Sequence, residues 1–552
     1  MGIPSYFSYI VKNHPEIIQI FVQSGINIDN LYIDANSIIY DCFHSMTLEE
    51  TSNNLTKTLI GKVMCKITEY IKIVAPRKGV IVSFDGVAPV AKLEQQRTRR
   101  FKSWFQTEIS NKVNNVPEAS WSTASITPGT SFMKELNREL ILKFNKENKI
   151  DQHAPTITIS TSDDVGEGEH KICSHIRNNP SHKNETTVIY GLDADLIMLA
   201  INHLPLCNEI YLFRETPAFI KSIDSNLEPN HNYLFDIRRL ADNIILDMQQ
   251  ELRFSSVDAN RRLYDYIFMC FLLGNDFLPH FPAINIRTGG VDKLMLHYKN
   301  AIGGSDRFLV DIDKKKIIWK NVRLLFESLA AQEHVYICAE HAARDKRERQ
   351  HSYSQNSSTS KKVKPISEMT QEEIAKDAID RLQNIPCVER SIEKYISPER
   401  DAWQHRYYVK LLEVEPSEER IKQVCANYLE GLEWTFKYYI SDCPDWRWKY
   451  KYHYPPLLSD LIKHIPYFDT TFIAENNSTA LDPRVQLCYV LPRRNLSLLP
   501  YKIYNQIQTK FIHYYPEKAD FEWSYCRYFW EAHPKLPEID IFQLETLVMQ
   551  KS

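Results

Sequence analysis

Seven acids in five short motifs, each tied to an apolar run, constrain this chain more than any other feature. Asp34 ends LYID, Asp85 ends VIVSFD, Glu167 and Glu169 lie in GEGEHK, Asp193 and Asp195 in YGLDADL, and Asp276 in LLGND. Strand candidates at 31–34, 79–84, 156–161, 187–192 and 209–213 are separated by long amphipathic segments. That rhythm predicts an α/β domain with a mainly parallel sheet over residues 1–300. In such sheets, sites gather at the carboxyl ends of strands, and Asp34, Asp85 and Asp193 each follow a strand candidate directly.

Taken singly, an Asp after a strand is most often a turn or N-cap residue. Five motifs in the same local context point instead to one site assembled by folding. Two like charges ~4 Å apart repel by about 4 kcal/mol at an effective dielectric near 20. Clustered carboxylates therefore take up protons or bind cations. Hard oxygen donors suit Mg²⁺ or Mn²⁺, and the use of such a cluster is two-metal phosphodiester hydrolysis.

Glu167 and Glu169 are two residues apart, which on a regular helix would turn them ~200° from each other. Both can face one site only if the helix begins between or just after them. The chain has only 15 glycines, and five of them (Gly86, Gly166, Gly168, Gly191 and Gly274) lie within two residues of these acids. That concentration predicts tight turns or close approaches there.

Directly after Asp85 comes GVAPVAKLEQQRTRRFK, in which Lys92, Arg97, Arg99, Arg100 and Lys102 outweigh Glu94. On a helix Lys92, Gln96 and Arg99 share a face, with Arg100 close by. Cations converging beside a metal site make a phosphate clamp, although a solvated basic helix has the same spacing. Tyr40 lies six residues after Asp34, and residues 434–454 are rich in aromatics, Trp434, Trp446 and Trp448 among them. Such rings can stack on bases without reading sequence, although core packing is the commoner use of any one of them.

The net charge of −3 excludes binding by overall charge and requires a local positive patch for any nucleic acid. The odd count of 11 cysteines, with no CxxC pair, argues for reduced thiols in a cytosolic or nuclear setting. Cys338 and His341 are too few for a structural zinc. No secretion signal, myristoylation site, membrane span or phosphate-loop motif is present. Residues 301–340 are expected to be a helical connecting segment after the core. Residues 341–366, polar and serine-rich, are expected to be a mobile insertion, and 367–552 a mostly helical second region.

MGIPSYFSYI, YIDANSII, FDGVAPVAKLEQQRTRRF, GEGEHKI, GLDADLIMLA and FLLGNDFLPHFP together resemble the Xrn/Rat family of 5′→3′ exoribonucleases. EGLEWTFKYYISDCPDWRWKYKYHYPP resembles that family's second conserved block, so the likeness runs from residue 1 to about 500. It implies a PIN/FEN-like nuclease core braced by a second, mostly helical region. It also implies Mg²⁺-dependent, processive release of mononucleotides from single-stranded RNA bearing a 5′-monophosphate. The implied ligand set is Asp34, Asp85, Glu167, Glu169, Asp193, Asp195 and Asp276, holding two Mg²⁺ ions with Mn²⁺ as an alternative. Lys92, Gln96, Arg99 and Arg100 become the 5′-phosphate pocket, and Tyr40 and Trp446 or Trp448 the stacking rings, with Trp434 a third candidate. A monomer in the cytoplasm, working with decapping machinery, is the implied setting; a nuclear location stays open.

Three features depart from the family pattern. Tyr40 stands where the family has His, Val165 where it has Pro, and the chain stops at 552 without the usual extension. It looks like a compact, divergent or viral member, which would place it in a host cytoplasm. Two other readings share some of these features: a flap-type DNA endonuclease, which uses the same acidic core, and a non-catalytic RNA-binding scaffold. The long second block argues against the first, and the intact acid set against the second.

Overall fold

The computed structural model describes residues 2–3, 5–21, 25–47, 54–114, 121–150, 155–207, 209–217, 220–229, 231–249, 256–357, 369–474 and 478–549. Seven strands form the central sheet: β1 (Ile18–Ile20), β2 (Asn30–Asp34), β3 (Gly79–Ser83), β4 (Thr156–Ser160), β5 (Thr186–Tyr190), β6 (Glu209–Glu215) and β7 (Asn232–Asp236). Their spatial order is β1-β7-β6-β5-β2-β3-β4. The five strands from β6 to β4 are mutually parallel, as the apolar rhythm predicts. β7 and β1 add an antiparallel edge that the pattern does not reveal. IQI has only three residues, and neither it nor NYLFD is singled out as a strand by its apolar pattern.

Both faces of the sheet are covered, which is why its strands read as near-continuous apolar runs. Leu31 and Ile33 pack on one face with Val80, Val82 and Val188. Tyr32 points to the other, with Ile81, Ile189 and Leu212. Register decides where the acids emerge. Asp34 pairs with Ser83, and Ile33 with Tyr190, so the three central strands end nearly level. Asp85 and Asp193 emerge from the loops just beyond.

The second region shares the first region's core. Trp434 of the helix Glu418–Ile440 lies 4.8 Å from Phe277, and Tyr439 lies 5.0 Å from Phe271. The helix Val90–Asn114, which carries the basic motif, is gripped by the C-terminal segment. Val90 and Leu93 pack with Val485 and Leu544. Arg97 donates to the carbonyls of Tyr514 (3.0 Å) and Pro537 (2.8 Å).

The expected mobile insertion at 341–366 is corrected: residues Glu333–Ser357 form one helix, and 358–366 lie outside the described residues. Its alanines, arginines and glutamates are strong helix formers. Arg344, 3% exposed, makes two bonds to the fully buried Glu393, at 2.8 and 2.6 Å. A charged composition here marks a docked helix, not a solvated linker. All 11 cysteines are unpaired. Among the described residues no helix is long and apolar enough to cross a membrane.

Candidate active site

The seven acids come together at the carboxyl ends of the central strands. Asp34 closes β2, and Asp85 follows β3 by two residues. Glu167 is the extended N-cap of the helix Gly168–Asn178, and Glu169 sits in its first turn. The helix therefore begins between the two glutamates, the arrangement their spacing demands. Asp195 opens the helix Asp195–His203, with Asp193 just ahead of it at the exposed edge. Asp276 comes from the loop after the short turn Phe271–Leu273.

Close backbone approach at Gly168 makes this possible. A Cβ there would stand 2.5 Å from Asp34 Oδ1, so Asp34 lies directly against the start of the helix. The Gly168 N–H donates to Asp85 Oδ1 at 2.7 Å, anchoring a carboxylate at the positive end of that helix. Asn36 fixes the other oxygen of Asp85 at 2.5 Å. Lys171 braces the loops, donating to the carbonyls of Phe84 and Thr161, each at 2.7 Å.

The electrostatics record mutual crowding. Burial, then the charges of Asp85 and Asp193, raise Asp34 well above the usual carboxylate range. Burial, then Asp195, do the same to Glu169, and burial with Asp276 pushes Asp195 up to about 7. Glu167 is also raised by burial, against the pull of Lys92. Asp276 goes the other way: burial would raise it, but Lys92 holds it well below its ordinary value.

The donor chemistry fits a divalent cation. Asp34 Oδ1, Glu169 Oε2 and Asp195 Oδ1 are buried oxygens with no hydrogen-bond partner. Buried, orphaned carboxylate oxygens are costly unless a cation or proton compensates them. Among the described residues no three acidic, His or Cys side chains stand close enough to form a ready-made cage. The compensating charge in this arrangement is Lys92, whose ammonium lies 2.6 Å from Glu167 and 2.5 Å from Asp276.

That placement sets the first cation of the expected clamp directly against the acids. Lys92 belongs to the acid cluster, where a buried ammonium is held well above its ordinary pKa: burial would lower it, but Asp276 and Glu167 prevail. Gln96 is buried beside it, with its Oε1 lacking a partner. Arg99 is exposed, while Arg100 reaches the carbonyls of Ala124 and Ile126 at 3.4 Å each. Gln96, Arg99 and Arg100 thus remain as the polar face beside the acids.

The stacking candidates also separate. Trp448 is 8% exposed, stacks on Trp434 at 5.4 Å and donates its Nε1–H to Glu430. Trp434 is fully buried. Both are core residues, which corrects the expectation for Trp448. Trp446 is half-buried, and its carbonyl accepts from the Val90 N–H at the start of the basic helix. Tyr40 is half-buried on the helix Asn36–His44.

Three supporting residues are not singled out by sequence. Asn36 lies two residues from Asp34, inside the segment YIDANSII. Tyr438, in the aromatic block, donates its hydroxyl to Glu167 Oε1 at 2.9 Å while its ring stacks on His170 at 3.8 Å. Gln95 donates to Asp276 Oδ1 at 2.9 Å, and only its place beside Gln96 could have suggested it.

Residues 1–216 match the family model described as the XRN 5′-3′ exonuclease N-terminus, and residues 256–550 match the Xrn1 helical domain. The chain is 29% identical to the 5′-3′ exoribonuclease 1 of Saccharomyces cerevisiae, across 91% of this chain and 40% of that one. It is 27% identical to the 5′-3′ exoribonuclease 2 homolog of Drosophila melanogaster, across 98% of this chain and 70% of that one. It is 26% identical to the 5′-3′ exoribonuclease 2 of Arabidopsis thaliana, across 98% and 66%. The chain thus spans between 40% and 70% of the length of these three relatives. A solved structure of the T5 D15 protein with metal ions overlaps only marginally, with a TM-score of 0.25 and 12% identity, covering 64% of this chain and 98% of that one.

Proposed function

We infer the activity of this protein from one premise: the chain belongs to the XRN 5′-3′ exonuclease family. The protein is a divalent-metal-dependent 5′→3′ exoribonuclease that releases mononucleotides from RNA bearing a 5′-monophosphate. The observation that carries this reading is the convergence of seven acids from five segments, with a polar helix face beside them. A scaffold has no physical use for buried carboxylates that raise one another's pKa values.

Asp34, Asp85, Glu167, Glu169, Asp193, Asp195 and Asp276 would hold two Mg²⁺ ions, or Mn²⁺ in their place. Bound ions supply the positive charge that favours attack of water on the scissile phosphodiester. The chain's own groups do the rest. Asn36 and the Gly168 N–H keep Asp85 aimed, and Tyr438 keeps Glu167 aimed. Lys92, Gln96, Arg99 and Arg100 bind the terminal phosphate, and Lys92 also links that pocket to the acids through Glu167 and Asp276. Trp446 and Tyr40 stack on bases without regard to sequence. The setting that goes with this reading is a monomer in a reducing compartment, the cytoplasm first.

The test is one RNA carrying a 5′-phosphate, 5′-hydroxyl, triphosphate or cap, incubated with and without Mg²⁺. Mononucleotides are expected only from the 5′-phosphate form with Mg²⁺ present. Equal decay of the 5′-hydroxyl form would remove the phosphate-pocket assignment, and metal-independent decay would remove the acid cluster's role.

A further inference from the structure

A cavity of about 570 Å³ is lined by none of the seven acids and by no residue of the basic helix. It shares no wall with the cavity bounded by Asp276 and Arg99, which belongs to the active site. Three helices build it. Tyr9 comes from Tyr6–Asn13, Leu246 and Asp247 from Ile237–Gln249, and Asp292 and Leu296 from Gly290–Tyr298.

Two properties of this cavity call for an occupant. The first is apolar. Leu246 is 63% exposed and Leu296 53%, one on each of two lining helices, while Ile244, Val291 and Met295 of the same lining are buried. A single exposed leucine is ordinary on a protein surface, but two that share one cavity with an apolar floor make a groove. The second is electrostatic. Glu16, Asp247 and Asp292 line the cavity against one cation, Lys299. Among the described residues neither Asp247 nor Asp292 has a Lys or Arg within ion-pair distance; buried His14 stands 3.6 Å from Asp247, and Asn243 donates to Glu16. Burial, then Asp292, with Asp247 a smaller cause, holds the half-buried Tyr9 hydroxyl above the ordinary phenol range. Two carboxylates from different helices thus flank one aromatic ring. A cation brought by another molecule satisfies both carboxylates and lies on that ring. Nucleic acid does not fit, because its phosphates would meet three acids.

We propose that this groove docks a segment of another protein that carries an arginine or lysine beside a large aliphatic side chain. The cation lies between Asp247 and Asp292 over Tyr9, and the aliphatic group sits between Leu246 and Leu296. Such a short anchor, one charge and one apolar contact, matches a groove built from helix faces. The docking does not depend on the exoribonuclease reading. It adds to that reading a place where a partner is held without occupying the acids or the phosphate pocket.

The probe is a library of short random peptides displayed on phage and panned on the full chain. A chain carrying both Asp247→Lys and Asp292→Lys competes in solution, so that only peptides using the acids are kept. The enriched sequences are expected to place Arg or Lys next to Leu, Ile or Met. One of them, synthesised and titrated by fluorescence anisotropy, should bind about 10-fold more weakly to Asp292→Lys and to Leu296→Asp, the order of a reversed charge or a lost anchor. Added salt should weaken it as well. Arg99→Ala should change its binding less than about 2-fold, because that residue is remote from the groove. Asp292→Lys and Leu296→Asp should match wild type in RNA decay. Thermal melts confirm folding, and Leu246→Asp replaces Leu296→Asp if the latter does not fold.

Failure to enrich any sequence overturns the docking site. So does an enriched set without a cation, or binding that ignores both Asp292→Lys and Leu296→Asp. Binding lost in Arg99→Ala, or displaced by single-stranded RNA, would move the peptide to the active-site face and overturn the groove. If the peptide binds in the expected pattern while the chain degrades no RNA, the exoribonuclease reading falls and the docking site stands.

Discussion

At the scale of single residues, the site depends on groups that never touch substrate. Tyr438→Phe removes one hydroxyl, that bonded to Glu167, and keeps the ring on His170. The divalent-ion concentration for half-maximal RNA decay is expected to rise about 10-fold, the usual scale for losing a partner that orients a ligand. The melting temperature should move little. An unchanged metal requirement would show that Glu167 is oriented without Tyr438. The acids themselves were legible from sequence because each sits where an apolar run ends, and strand register then does the rest. Glu167 and Glu169 were legible even in detail, since their spacing leaves only one way to share a site. Lys92 was not. Its spacing with Gln96 and Arg99 is real, but which pole attracts a long side chain depends on charges 75 and 184 residues away, on Glu167 and Asp276. Trp446 and Trp448 differ by two positions, and only the packing of Trp434 and Gly431 beneath Trp448 assigns it to the core.

At the scale of elements, docking replaces composition as the guide. The helix Glu333–Ser357 reads as a charged linker, yet Arg344 ties three segments together through Glu393 and the carbonyls of Pro386 (3.2 Å) and Cys526 (2.9 Å). Arg344→Ala leaves Glu393 buried with Arg390 as its remaining ion-pair partner. The expected cost is about 3 kcal/mol, the lower end for breaking a buried pair, read as a lower urea midpoint. A midpoint within error of wild type would return this helix to the status of a surface ornament. Sequence does not reveal such a helix because its anchors are few, charged and distant. β1 and β7 also escaped notice, and for β1 the reason is its length of three residues, too short to show a period.

At the scale of the whole molecule, buried histidines set the acid limit of stability. Burial pushes His203, His280 and His341 each down to about 4. In the unfolded chain they titrate near 6.5, so the unfolded state binds protons first as the pH falls. Their contribution is complete above about 6.5 and is lost as the pH drops toward 4, up to ~3 kcal/mol for a fully buried ring. His203→Gln should make urea stability fall less steeply between pH 6.5 and 4.5; parallel wild-type and variant profiles would assign the acid limit to other groups. The grip of the C-terminal segment on the basic helix has a consequence in time. Arg97 and Lys102 are held by carbonyls of residues 514, 530, 532 and 537, more than 400 positions later in synthesis. Ribosome-bound chains stopped before residue 510 are expected to carry every acid and yet degrade no RNA, whereas a released 552-residue chain is competent; activity in the stalled chains would show that the helix sets without its clasp. A nuclease built this way stays silent until residues 514–537 have been made and have closed on the basic helix.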